Sequence, residues 1–88
     1  METAKPNRSQ LVEYRARAKR RSGNYLREFR KGIGHTQTSM AEAITARGYH
    51  IDRNGYHNWE RGYLPKHEAL VVLHRMGLDL NAYIKGED

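Results

Sequence analysis

Apolar residues along the 88-residue chain fall into short clusters at helical spacing, each bracketed by a polar cap or a glycine. Leu26, Phe29 and Ile33 form one set behind Asn24, ended by Gly32 and Gly34. Met40, Ala41 and Ile44 form the next, over Thr36 to about Arg47, with Thr36 as N-cap and Gly48 as stop. Tyr56 and Trp59, three apart, follow Asp52 as a second good N-cap and precede Gly62. Ala69, Leu70, Val72, Leu73 and Met76 make Lys66–Met76 the most apolar segment before Gly77. Ala82, Tyr83 and Ile84 belong to a short last helix over Leu80–Lys85, after Asp79. Ahead of these, Ser9–Arg21 has a helix-favouring composition with Ser9 as its cap, and Ser22-Gly23-Asn24 reads as a break. Met1–Arg8 is polar, interrupted by Pro6, and expected to be disordered. No run alternates with the period of a strand. The expectation is an all-α domain of five helices over residues 23–86, behind a basic arm, with an extra helix, over residues 1–22.

The helix behind Asp52 carries the most informative polar residues. Arg53, Asn54, His57 and Asn58 lie on the face away from Tyr56 and Trp59. Arginine pairs with guanine edges and asparagine with adenine edges in the DNA major groove, although the same residues also suit a plain solvated face. Arg53 and Asn54 occupy the first turn, with His57 and Asn58 one turn on. Gly55 weakens the helix by roughly 1 kcal/mol relative to alanine; it could allow close approach to DNA or leave room for a thymine methyl. Trp59 reads as core.

Charge sharpens this picture. The net charge is +6 and the pI near 9.9, which points to a polyanionic partner. Residues 1–31 hold ten Lys/Arg against three Glu, and the remainder six Lys/Arg against seven Asp/Glu, so the whole excess precedes the second cluster. The basic arm could follow a phosphate backbone, pack on another subunit or be an ordinary solvated tail. Membrane attachment lacks an apolar face here, since Leu11, Val12 and Tyr14 are followed only by alanines. The longest apolar run, Ala69–Leu73, is far too short to cross a bilayer. With no secretory leader evident, a cytoplasmic location is expected.

Candidate catalysis is thin. There is no cysteine, hence no disulfide, thiolate nucleophile or cysteine-based zinc site. His67 and His74 stand seven apart, ~10 Å along a helix and too far to share an ion. His50 and His57 lack a carboxylate set around them, and His35 sits in a loop beside Gly34. No nucleophile–base or paired-carboxylate spacing stands out. No enzyme activity, metal, cofactor or small-molecule ligand is expected.

The ordered set Leu26, Arg30, Thr36-Gln37, Met40-Ala41, Ile44, Ile51, Tyr56, Trp59-Glu60-Arg61-Gly62, Pro65, Leu73, Met76-Gly77-Leu78 and Leu80 resembles the helix-turn-helix of the Cro/CI-like (XRE) family of DNA-binding repressors. The resemblance spans Asn24 to Gly86. It implies a five-helix, lambda-repressor-like fold that binds a palindromic operator in double-stranded DNA as a homodimer, with the helix behind Asp52 in the major groove. By the same resemblance, Thr36, Gln37, Arg61, Tyr63 and Lys66 position phosphates. Arg27, Lys31 and Arg47 are possible additions or solvated surface. Arg30 and Glu60 correspond to a structural ion pair, and Leu78, Leu80, Tyr83 and Ile84 to the dimer contact. One departure stands out: Trp59-Glu60 comes about five residues later than the family spacing, with the excess inside Thr45–His50. Those residues either add a turn to the second helix or lengthen the connection.

Other readings use the same residues. An antitoxin or adaptor would use this fold to hold a protein, and would show exposed apolar surface beyond the dimer patch. RNA binding by the basic arm would want more stacking aromatics than Tyr14. An activator differs from a repressor only in a few surface residues.

Overall fold

A computed structural model describes residues 8–85, with side chains from 17 to 84. The segment Met1–Asn7, expected to be disordered, lies outside the described residues. Five α-helices follow in order: α1 (Arg8–Gly32), α2 (Gln37–Ala46), α3 (Arg53–Glu60), α4 (His67–Arg75) and α5 (Leu80–Lys85). Among the described residues there is no strand, and no helix is long and apolar enough to cross a membrane.

The largest departure from the sequence reading is α1. Ser22-Gly23-Asn24 is not a break; the basic segment and the first core helix are one continuous rod of 25 residues. Asn24 is an exposed interior residue, not a cap. The rod tolerates its glycine because Gly23 is buried where α1 crosses the end of α3. A side chain there would fall on the carbonyl oxygen of Glu60, with the carbonyl carbon 2.8 Å and Gly62 N 3.2 Å away. Ser22 satisfies its hydroxyl within the helix by donating to the Lys19 carbonyl at 3.1 Å.

The short helices end where their caps dictate. Thr36 Oγ1 accepts from Ser39 N at 3.1 Å and Ser39 Oγ accepts from Thr36 N at 2.9 Å, a reciprocal box at the start of α2. Asp52 Oδ1 accepts from Gly55 N at 2.7 Å to start α3. Gly48 takes φ +105° just past α2, so that Tyr49 N returns to the Ile44 carbonyl at 3.3 Å.

α2 ends at Ala46, so the segment Thr45–His50 singled out from sequence straddles the end of α2 and the start of its connection to α3. Residues 47–52 form a loop clasped by Thr45, whose hydroxyl donates to the Ile51 carbonyl at 2.9 Å and accepts from Ile51 N at 3.1 Å. Tyr49 folds back toward Trp59, with ring centroids 6.1 Å apart. Thr45→Val keeps the shape but removes both bonds, and an expected loss of about 0.5–1.5 kcal/mol is measurable by urea denaturation. An unchanged midpoint would mean that aromatic packing alone holds the loop.

The core is one cluster. Leu26 from α1, Met40, Ala41 and Ile44 from α2, Tyr56 and Trp59 from α3, and Ala69, Val72 and Leu73 from α4 are all buried. Leu78 (1% exposed) and Tyr83 (6%) complete it, with Tyr83 tilted against Tyr25 at 6.0 Å between centroids. Leu78 and Tyr83, expected from the resemblance to be dimer contacts, are instead buried in the chain's own core, where α5 packs on α1. Ile84 is 70% exposed and Leu80 half-buried, and these two supply what apolar surface α5 retains.

Candidate nucleic-acid interface

Eight residues of α3 divide sharply by face. Tyr56, Trp59 and Glu60 are buried, while Arg53, Asn54 and Asn58 are exposed. Burial of Tyr56 against Trp59, edge to face at 5.8 Å, fixes the rotation of the helix and therefore which residues point out. Gly55 is half-buried; a side chain there would press on Ile51 Cγ1 at 2.9 Å. Its small size serves the packing of the preceding loop.

His57 differs from the other three reading candidates. It is half-buried and turned toward α2, where its Nδ1 lies 3.1 Å from Gln37 Nε2. That amide nitrogen also donates to Glu60 Oε1 at 3.0 Å. Both hydrogens of the Gln37 amide are thus committed, which removes its side chain as a phosphate donor in this arrangement. The Gln37 backbone N–H, at the first position of α2, is left for that role.

Glu60 anchors α3 to its neighbours. Arg30 grips it with Nε to Oε2 at 2.7 Å and Nη2 to Oε1 at 3.3 Å, and Arg30 Nη1 donates to the His35 carbonyl at 2.9 Å. Arg27 stands at 3.6 Å, so this candidate phosphate ligand faces the carboxylate. The Glu60 side chain has no solvent exposure. Burial pushes its carboxyl upward, yet the charged bond from Arg30 leads the opposing influences, which together hold it below the usual range. The Arg30 guanidinium is raised, chiefly by its bond to Glu60.

The remaining positioning candidates flank α3. Thr36 is exposed at the start of α2; Arg61, Tyr63 and Lys66 are exposed in the loop behind Glu60, as are Lys31 and Arg47 elsewhere. Lys19 belongs to the basic arm read from sequence, but its seat against the loop behind α3 was not legible there. Its backbone seats Gly62, whose φ of +111° and 2.6 Å clearance to Lys19 Cβ exclude a side chain, and its ammonium lies 5.7 Å from the Tyr63 ring centre. The basic rod therefore meets the loop that follows α3. Beside that loop the connection between α2 and α3 walls a groove of about 450 Å³, lined by residues that include Tyr49, Ile51, Asn58, Trp59, Arg61 and Tyr63. Among the described residues, no three His, Asp or Glu cluster as metal ligands.

Compared with family models, curated proteins and solved structures, the chain matches none.

Proposed function

We propose that this protein is a sequence-specific double-stranded DNA-binding regulator, a repressor acting on a palindromic operator as a homodimer. The observation that carries the reading is the outer face of α3. Arg53, Asn54 and Asn58 stand exposed on a helix whose opposite side is buried, and the exposed Arg61, Tyr63 and Lys66 follow it directly. Polar groups suited to base edges, flanked by groups suited to phosphates, are what major-groove recognition by a helix requires. The resemblance to the Cro/CI-like family points the same way, as does the excess positive charge of +6. Ile84 and Leu80 are the apolar residues left on α5 for a second copy.

Selection of bound duplexes from a random pool tests this directly. Two half-sites about one helical turn apart are expected; recovery of random sequence would overturn the reading. On the selected site, Asn54→Ala is expected to lose ~1–3 kcal/mol of discrimination at one base pair, with little change on random DNA. Lys66→Ala is expected to weaken binding to all sequences and to reduce the salt slope by about one. Equal losses on operator and random DNA for Asn54→Ala would remove it from the reading set.

One observation favours a protein-interaction role as a second reading. Leu64 is 74% exposed beside Tyr63 at 58%, apolar surface away from α5. Stoichiometric co-purification of a partner that is lost in Leu64→Ser would support it.

A further inference from the structure

The buried network around Glu60 does more than hold α3. Glu60 offers only acceptors, and Arg30 fixes the carboxylate from α1 through two bonds of 2.7 and 3.3 Å. The Gln37 amide must therefore turn its NH2 to Glu60, since its own oxygen would meet a carboxylate oxygen with no solvent to separate them. Once the amide is so turned, its other hydrogen faces His57 Nδ1 at 3.1 Å. A ring nitrogen that accepts cannot carry a proton, and a neutral imidazole accepting at Nδ1 carries its hydrogen on Nε2. Among the described residues, nothing is bonded to Nε2 of His57.

We infer that Arg30, Glu60 and Gln37 form a relay that sets His57 as an Nε2–H donor, and that this donor reads an acceptor on a base edge. The matching groups in the major groove are purine N7, guanine O6 and thymine O4, whereas the cytosine amine offers none. Gln37 is then a positioning residue that acts through His57, and the buried pair of α1 and α3 takes part in specificity as well as in stability. The base-edge half of this inference rests on the DNA-binding reading; the tautomer half does not.

Long-range 1H–15N correlation spectra of the 15N-labelled full chain, recorded above pH 8 where imidazoles are neutral, report the tautomer. The His57 pattern is identified by its loss in His57→Gln. A single Nε2–H form is expected in the wild type. Gln37→Met leaves Glu60 its Arg30 partner and removes the amide, and is expected to shift the tautomer ratio toward Nδ1–H by about fivefold, the worth of one ordinary hydrogen bond. Gln37→Glu gives Nδ1 an acceptor and is expected to place a proton on it. In random-pool selection, one base position should demand an acceptor in the wild type and relax in Gln37→Met, with the positions read by Arg53 and Asn54 unchanged. An Nδ1–H form in the wild type, or a tautomer ratio indifferent to both Gln37 variants, overturns the relay. A single Nε2–H tautomer with no DNA selected overturns the base-edge half and the DNA reading together, and leaves the relay standing.

Discussion

Glu60→Ala is expected to remove most of the stability of this domain. A chain of 88 residues has only about 5–10 kcal/mol to lose. Removing one partner of a buried ion pair typically costs about 3–5 kcal/mol, because the other charge is left behind. Here the charge left behind is Arg30, whose side chain is only 11% exposed. The same substitution strands the Gln37 amide. Urea denaturation should show either an unfolded protein at 25 °C or a midpoint far below wild type. Glu60→Gln keeps the shape and part of the bonding, so a smaller loss is expected.

The pH dependence follows from the same carboxylate. Its folded-state value lies below the ordinary one, with burial opposing and the influences led by the Arg30 bond prevailing. The folded state thus holds the proton less tightly than the unfolded chain does. The contribution of Glu60 is complete above an unfolded value of about 4.3 and is lost as pH falls through the lower folded value. The gap in unfolding free energy between wild type and Glu60→Gln should be constant from pH 7 to about 5 and shrink below about 4. A gap that stays constant to pH 3 would mean that the ionised form is not favoured by the fold.

Gly23→Ala is expected to destabilise the domain by about 1–3 kcal/mol or more, the range of an overpacked core. Intrinsic propensity argues the other way, since alanine exceeds glycine in a helix interior by about 1 kcal/mol. Packing decides the sign. The new methyl would land on main-chain atoms of Glu60 and Gly62, which cannot rotate aside. The rod would have to lift from the end of α3, loosening Arg30 from Glu60 and Lys19 from Gly62 together. Gly32 is the internal control, because a side chain there meets nothing within 4 Å. Gly32→Ala should leave the melting temperature unchanged or raise it. A Gly23→Ala variant that also melts higher would show that α1 does not seat on α3 as closely as described.

These two sites also show where sequence reading ends. Thr36, Asp52 and Asp79 as helix starts, and Gly48, Gly62 and Gly77 as stops, depend on interactions within a few residues, so they are legible locally. The inward faces of α2, α3 and α4 are legible for a related reason: helical spacing states which residues share a side. The resemblance to a known family pairs Arg30 with Glu60. By contrast, Ser22-Gly23-Asn24 carries every local mark of a turn and is helical because another helix end needs the room. Leu78 and Tyr83 look like spare apolar surface until α5 is seen to close over α1. His57 shares the polar pattern of Arg53, Asn54 and Asn58, and nothing in its spacing reveals Gln37 beside it.

Determined by the sequence alone were the helical class, the punctuation of the short helices, the strongly basic front of the chain and the polar outer stripe of α3. All of these arise from residues within a turn or two of one another. Only the tertiary structure decided that α1 runs unbroken, that Thr45 clasps the loop between α2 and α3, which apolar residues of α5 stay free, and which way the Gln37 amide and His57 ring face. Each of those depends on atoms brought together from distant parts of the chain, where steric exclusion and the matching of donors to acceptors overrule local preference.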